Sequence, residues 1–216
     1  MPEPGPRRRS RGIACAARDE RESAAPDRTR KRADPAEAQP RRILPGAATL
    51  VVDVLAPCRE WRRALPGAAA QCRRAARAAM ALGAPAVDDA EISIVLGDDR
   101  LLRRLNGAWR GKDEATNVLS FPAQPAVRCP LPRVPGMARP FGDVVLAFET
   151  IRAEAAAQGK ALADHLAHLV VHGVLHLLGF DHVAAVEARR MERLERRILA
   201  GLGIADPYLG SPVPHG

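Results

Sequence analysis

The sequence predicts a mixed α/β (α+β) fold: one small mixed sheet of about four strands packed with about five helices, with a metal site on a helix and the turn after it. Three observations predict it. Short apolar runs of strand length alternate with longer helical stretches, each ended by glycine or proline. An apolar content of 47% over 216 residues can fill the core of one domain. Near the C-terminus, His172, His176 and His182 stand at successive spacings of 4 and 6 residues, with Gly179 between the last two.

Taken in order, residues 50–55 are a run of Leu and Val and read as the first strand. A helix follows over 61–82; Pro66 predicts that its regular part starts after that residue, and Gly83 with Pro85 ends it. Residues 91–96 form a second strand, apolar on both faces toward its end. Asp98 or Asp99 caps a short helix through Leu105. The stretch from Leu105 is polar and irregular before it becomes a strand over 117–121. Six prolines from Pro122 to Pro140 predict a surface loop. The fourth strand is 142–147. Helices then run over 149–158, closed by Gly159, over 162–178, and over 183–202. In the last of these, Met191, Leu194, Ile198 and Leu202 recur near helical spacing.

Aromatic residues make up only 3% of the chain, so the core must be built from Leu, Val, Ile and Ala. Residues 1–42 hold almost no large apolar side chain and cannot bury enough surface to offset their ordering entropy. They read as a disordered basic extension, or as the product of a start codon assigned too far upstream. They carry 12 Lys and Arg against 7 Asp and Glu, which is +5 of the net +8 and leaves +3 for residues 43–216. A basic chain suits a polyanionic partner, but charge by itself does not choose one. The four cysteines (Cys15, Cys58, Cys72 and Cys129) form no C-x-x-C pair, which fits a reduced, cytoplasmic compartment. The longest apolar stretch, 166–178, is too short to span a membrane and contains three histidines. The N-terminal segment lacks the apolar run of a secretory signal.

His172 and His176 lie one helical turn apart, so both imidazoles leave the same helix face. Gly179 can take the left-handed conformation that ends the helix and reverses the chain, returning His182 as a third ligand. Three neutral nitrogen donors suit zinc or a similar divalent ion and leave one position open for water. With no cysteine nearby to close the shell, the site reads as catalytic. The spacing is also that of the metzincin proteases, H-E-x-x-H-x-x-G-x-x-H, but Gly173 stands where their glutamate base would be. His168, one turn before His172, either hydrogen-bonds a ligand or a nearby carboxylate, or is a helix-face histidine without metal contact. His165 reads as surface or partly packed, and His215 belongs to the tail.

Four blocks, in this order, resemble the YbeY family of bacterial endoribonucleases. H-G-x-L-H-x-x-G-x-D-H is met by His172 to His182, and L-N-x-x-[YW]-R-x-x-D-x-x-T-[DN]-V-L-S-F-P by Leu105 to Pro122. G-D-[IV] is met by Gly142-Asp143-Val144, and D-P-Y by Asp206-Pro207-Tyr208. The long N-terminal extension and the expanded proline-rich loop depart from the family pattern without touching these blocks. The resemblance implies a YbeY-like catalytic domain over 43–216. It implies a metal-dependent, single-strand-specific RNase that matures the 3′ end of 16S rRNA and takes part in ribosome quality control. It also implies one divalent ion, taken as zinc, and partners on the small ribosomal subunit with an Era-type GTPase, away from any membrane.

Within that reading, an ion held by the three histidines would lower the pKa of bound water and polarise a phosphoryl oxygen. Arg110 matches the family's essential arginine; its guanidinium can grip two phosphate oxygens and stabilise the charge of a pentacovalent transition state. Lys112 is a further phosphate contact of low specificity. Asp181 either orients a ligand imidazole or caps the last helix. Thr116, Asn117 and Ser120 either border the cleft or serve only strand and turn structure. Trp109 can stack a base, but aromatic side chains more often belong to a core, which leaves it outside the site. Two other classes remain as alternatives: a metzincin-like metalloprotease, opposed by Gly173, and a non-catalytic ribosome-assembly factor, opposed by the open metal position.

Overall fold

A strand of Leu and Val around Asp53 opens the described chain, with Val52 buried and Asp53 exposed. The computed structural model describes residues 49–84, 87, 89–123 and 137–209; the extension 1–42, loop residues 124–136 and His215 lie outside the described residues. The elements are β1 (Leu50–Leu55), α1 (Arg59–Ala64), α2 (Ala68–Gly83), β2 (Ala90–Gly97), α3 (Asp99–Arg110), β3 (Val118–Pro122), β4 (Arg139–Ala147), α4 (Phe148–Ala157), α5 (Leu162–Leu177) and α6 (Ala185–Gly201). The four strands form one mixed sheet in the order β1-β2-β4-β3. β2 runs parallel to both β1 and β4, while β3 is antiparallel to β4.

Two predicted elements need correction. The helix expected over 61–82 is two helices, because Pro66 has no N–H to donate and forces Leu65 out of the helical region, to φ −143° and ψ 81°. The short helix expected to stop at Leu105 runs on to Arg110. Its start is capped as predicted, with the Asp98 carboxylate accepting from the Leu101 N–H at 2.8 Å. Its end is set by Gly111, at φ +69°, not by the polar Asn106-Gly107 pair. Asn106 is buried, and its amide donates to the Glu114 carbonyl at 2.9 Å, so this polar residue pins the following loop to the helix.

Alternation along β4 sends side chains to two faces. Val144 and Leu146 join Ile92, Ile94 and Leu96 in the main core, against α2 and α5. Val145 and Ala147 face the other way and pack with Leu102 of α3 and Leu119 of β3. α2 presents Ala68, Cys72, Ala75, Ala76 and Ala79 inward, small side chains that let it approach closely. Trp61 is fully buried, donating its Nε1–H to the Gly97 carbonyl at 3.0 Å and meeting Phe148 edge-on at 5.1 Å. Gly142 is held at φ +130°, and a Cβ there would lie 2.1 Å from the Phe121 carbonyl oxygen, so the β3–β4 pairing demands glycine. α5 is buried on most of its surface, which places the histidine helix at the centre of the molecule.

Candidate metal centre and cleft

Where α5 ends, the chain turns as its glycine predicts. Gly179 sits at φ +84°, and the turn returns His182 toward the helix. One ring nitrogen from each of His172, His176 and His182 lies within 4.8 Å of the others. Nε2 of His172 and Nε2 of His176 are 3.1 Å apart. Their other nitrogens are already engaged. His172 Nδ1 is 2.8 Å from a carboxylate oxygen of Glu195, and His176 Nδ1 is 3.0 Å from the Phe180 carbonyl. Both acceptors require the proton on Nδ1, so in the neutral rings each Nε2 carries a bare lone pair. Two lone pairs this close repel unless a proton or a metal ion lies between them. Bonds of about 2.0–2.1 Å at a tetrahedral angle separate two donors by roughly 3.4 Å, close to the spacing found. The donor set therefore fits a divalent ion such as zinc. Burial, then the neighbouring His172 and His182, pushes the His176 pKa down to about 4, so it stays a neutral donor at neutral pH.

Behind the ligands stands a carboxylate that sequence reasoning missed. Glu195, on α6, is 1% exposed among apolar neighbours. One oxygen accepts from His172, and the other accepts from the Tyr208 hydroxyl. Burial alone would raise this carboxyl, but the bonds from His172 and Tyr208 outweigh it and hold the group below the usual carboxylate range. Tyr208 is held in turn: its N–H donates to Asp206 at 2.9 Å, Arg196 stacks over its ring at 5.0 Å, and Lys160 donates to the Pro207 carbonyl at 2.9 Å. The Asp206-Pro207-Tyr208 block thus locks the acceptor of a metal-ligand candidate. The available signal was an acid at helical spacing from Met191 and Ile198, on the face that those residues bury.

The remaining predicted residues divide. Arg110 shares a cleft of about 580 Å³ with all three histidines, together with Thr116, Asn117, Ser120 and Asp181. It is exposed and has no ion-pair partner among the described residues. Lys112 is exposed beyond Gly111 and does not line that cleft. Asp181 neither caps α6, whose N-cap is Ala184, nor hydrogen-bonds a ligand ring; its carboxylate accepts from the backbone N–H of His182 at 2.7 Å and shapes the turn. His168 Nε2 stops 4.0 Å from Glu195, and neither of its ring nitrogens has a hydrogen-bond partner. His165 is buried rather than surface, with Nε2 2.8 Å from Glu154. Asn117 turns its amide to the same Glu154 at 3.1 Å, so it braces β3 against α4.

Gly173 argues against the protease alternative. A Cβ at this position would stand 2.7 Å from Val144 and 3.1 Å from the Ser120 hydroxyl, which donates to the Gly173 carbonyl. The position faces the sheet, so a glutamate there would collide with β4 instead of reaching the cleft.

Three imidazoles placed where they could hold an ion, and an unpaired arginine in the same cleft, are the equipment of a metal-dependent hydrolase. The family model for Endoribonuclease YbeY matches residues 63–203, and the chain belongs to that family. The Endoribonuclease YbeY of Paramagnetospirillum magneticum is 54% identical over 162 residues, spanning 74% of this chain and 96% of its own. That of Azorhizobium caulinodans is 53% identical over 158 residues, 73% of this chain and 95% of its own. A solution structure from Thermotoga maritima aligns with 75% of this chain and all of its own at 17% identity, with a TM-score of 0.47.

Proposed function

We propose that this chain cleaves single-stranded RNA in the maturation of the 16S rRNA 3′ end and in ribosome quality control. Its class is that of its family, an endoribonuclease that hydrolyses RNA. The observation that carries the reading is the shared cleft: an unpaired guanidinium and three imidazoles, each with a ring nitrogen turned toward the others, line one opening. His172, His176 and His182 are the metal ligands, with zinc as the resident ion. When bound, that ion supplies Lewis-acid polarisation of a phosphoryl oxygen and an acidified water. Arg110 grips two phosphate oxygens through its planar fork and stabilises the charge that builds as the phosphorus becomes five-coordinate. Glu195 and the Phe180 carbonyl keep the Nδ1 protons in place, so the ligand nitrogens stay aimed. Lys112 offers a second cation to the backbone of the strand.

Residues 43–216 form the catalytic domain, and residues 1–42 are an extension dispensable for cleavage. No described helix is long and apolar enough to cross a membrane. The cytoplasm, the small ribosomal subunit and an Era-type GTPase complete the proposal. The test is cleavage of a single-stranded RNA by the zinc-loaded chain, with and without chelator, against His176→Ala. Chelator-sensitive cleavage that is absent from the variant supports the reading; a zinc-loaded wild type without cleavage overturns it.

A further inference from the structure

The chain has two tryptophans, and they have opposite fates. Trp61 is 0% exposed, whereas Trp109 is 72% exposed. Trp109 sits in the last turn of α3, immediately before Arg110. It leans on Phe121 at 5.6 Å and 59°, while Phe121 is itself packed into the smaller core. One side of the indole is thus braced by a fixed ring, and most of its surface meets solvent. Ser120 and Pro122 line the cleft with Arg110, whereas Phe121 between them faces the α3 side of β3, so that Trp109 stands beside the cleft, one residue from Arg110, and not in its lining. β3 is an edge strand, so nothing in the sheet covers this corner. Lys112 follows one turn away, exposed and without an ion-pair partner among the described residues.

We infer that Trp109 is a stacking platform for an unpaired nucleobase of the RNA whose backbone lies along Arg110; the inference rests on the cleft being the RNA site. An exposed, braced indole beside a phosphate-binding arginine is the pairing that single-strand binders use. The cation tracks the backbone, and the ring takes a base face without regard to sequence. Bases in a duplex are stacked on both faces and can offer none without opening. The same ring therefore gives a physical source for a preference for single strands.

The experiment uses the zinc-loaded full chain and a single-stranded RNA decamer. Because Trp61 is sealed in the core, quenching of tryptophan emission by the decamer reports on Trp109. Wild-type emission falls on titration, and a matching RNA duplex leaves it unchanged. Trp109→Ala raises KM for the decamer roughly 5–150-fold, the span of a lost base stack, with the loss falling on KM rather than kcat. Trp109→Phe recovers most of it, and circular dichroism of both variants matches the wild type. Cleavage by a wild type whose emission the decamer does not quench, or an unchanged KM in Trp109→Ala, overturns the inference and leaves the nuclease reading standing; the ring would then serve a protein contact. Quenching without cleavage overturns the nuclease reading alone, and absence of both overturns the two together.

Discussion

The candidate donors of the proposed metal centre come from two kinds of support. His172 and His176 rise from a buried helix, half-buried themselves, with each Nδ1 bonded to an acceptor that the fold holds still. His182 comes from an exposed turn, and its hydrogen bond is one from its own backbone to Asp181. The first pair is aimed before any ion arrives. The third is delivered by the chain reversal at Gly179, exposed and with no acceptor among the described residues holding its ring. A site built this way has a rigid floor and an adaptable lid, and its variants should lose function in graded steps.

The largest effect belongs to the floor. His176→Ala removes one of two preset donors and should abolish both metal content and cleavage. His182→Ala should still fold and retain weak, exchangeable zinc on the helical pair. Elemental analysis after gel filtration, with competition against a chelator of known affinity, reads both. Equal zinc loss in the two variants would erase the distinction between floor and lid. Next comes Arg110→Ala, which touches neither. It should keep full zinc and lose about 10²–10³-fold in kcat, as when a single stabilising donor is removed from a charged transition state. Turnover equal to wild type would remove Arg110 from the chemistry.

What the sequence disclosed about this site follows the same division. The triad was legible because its geometry is local: one helical turn and one glycine reversal relate all three histidines. Gly173 was legible as the absence of a protease base, though not as the contact that presses α5 on Val144. Glu195 was not legible. It lies 23 residues from the ring it bonds, and an acid in a helix reads as solvated until the helix is packed. The length of α3 was misread because the stretch from Leu105 is polar, whereas the acceptor of the Asn106 amide, the Glu114 carbonyl, is supplied by the loop beyond the helix. Trp109 was set aside because aromatics are usually core; only the assembled sheet edge leaves it outside.

Glu195 itself supplies the third test. Glu195→Gln keeps shape and burial but weakens the acceptor that fixes the His172 proton. Zinc affinity should fall about 10–100-fold, the usual span for removing the partner of a ligand histidine. Tyr208→Phe should fall between this variant and wild type, since it removes one bond from the carboxylate and leaves the other. Zinc titration with a competing dye separates the three. A Gln variant with wild-type affinity would mean that packing alone orients His172.

The smallest effect at neutral pH concerns the imidazole on α5 that has no hydrogen bond. His168 lies one helical turn before His172 on α5, edge-on to His172 at 6.4 Å and to Tyr208 at 5.7 Å. Burial pushes its pKa down to about 4, against the opposing pull of Glu195. In the unfolded chain the group titrates near about 6.5. The unfolded state therefore binds the extra proton first as pH falls, and the metal-free protein should lose stability between about 6.5 and about 4. Above that window His168 is neutral in both states and adds no pH dependence. His168→Leu removes two unsatisfied nitrogens from a buried site, so its melting temperature at pH 7 should equal or exceed that of the wild type. On acidification the variant should also fall less steeply than the wild type. Parallel melting curves over the window would mean that His168 meets water in the folded chain, and that the histidine ladder of α5 is wet well below its ligands.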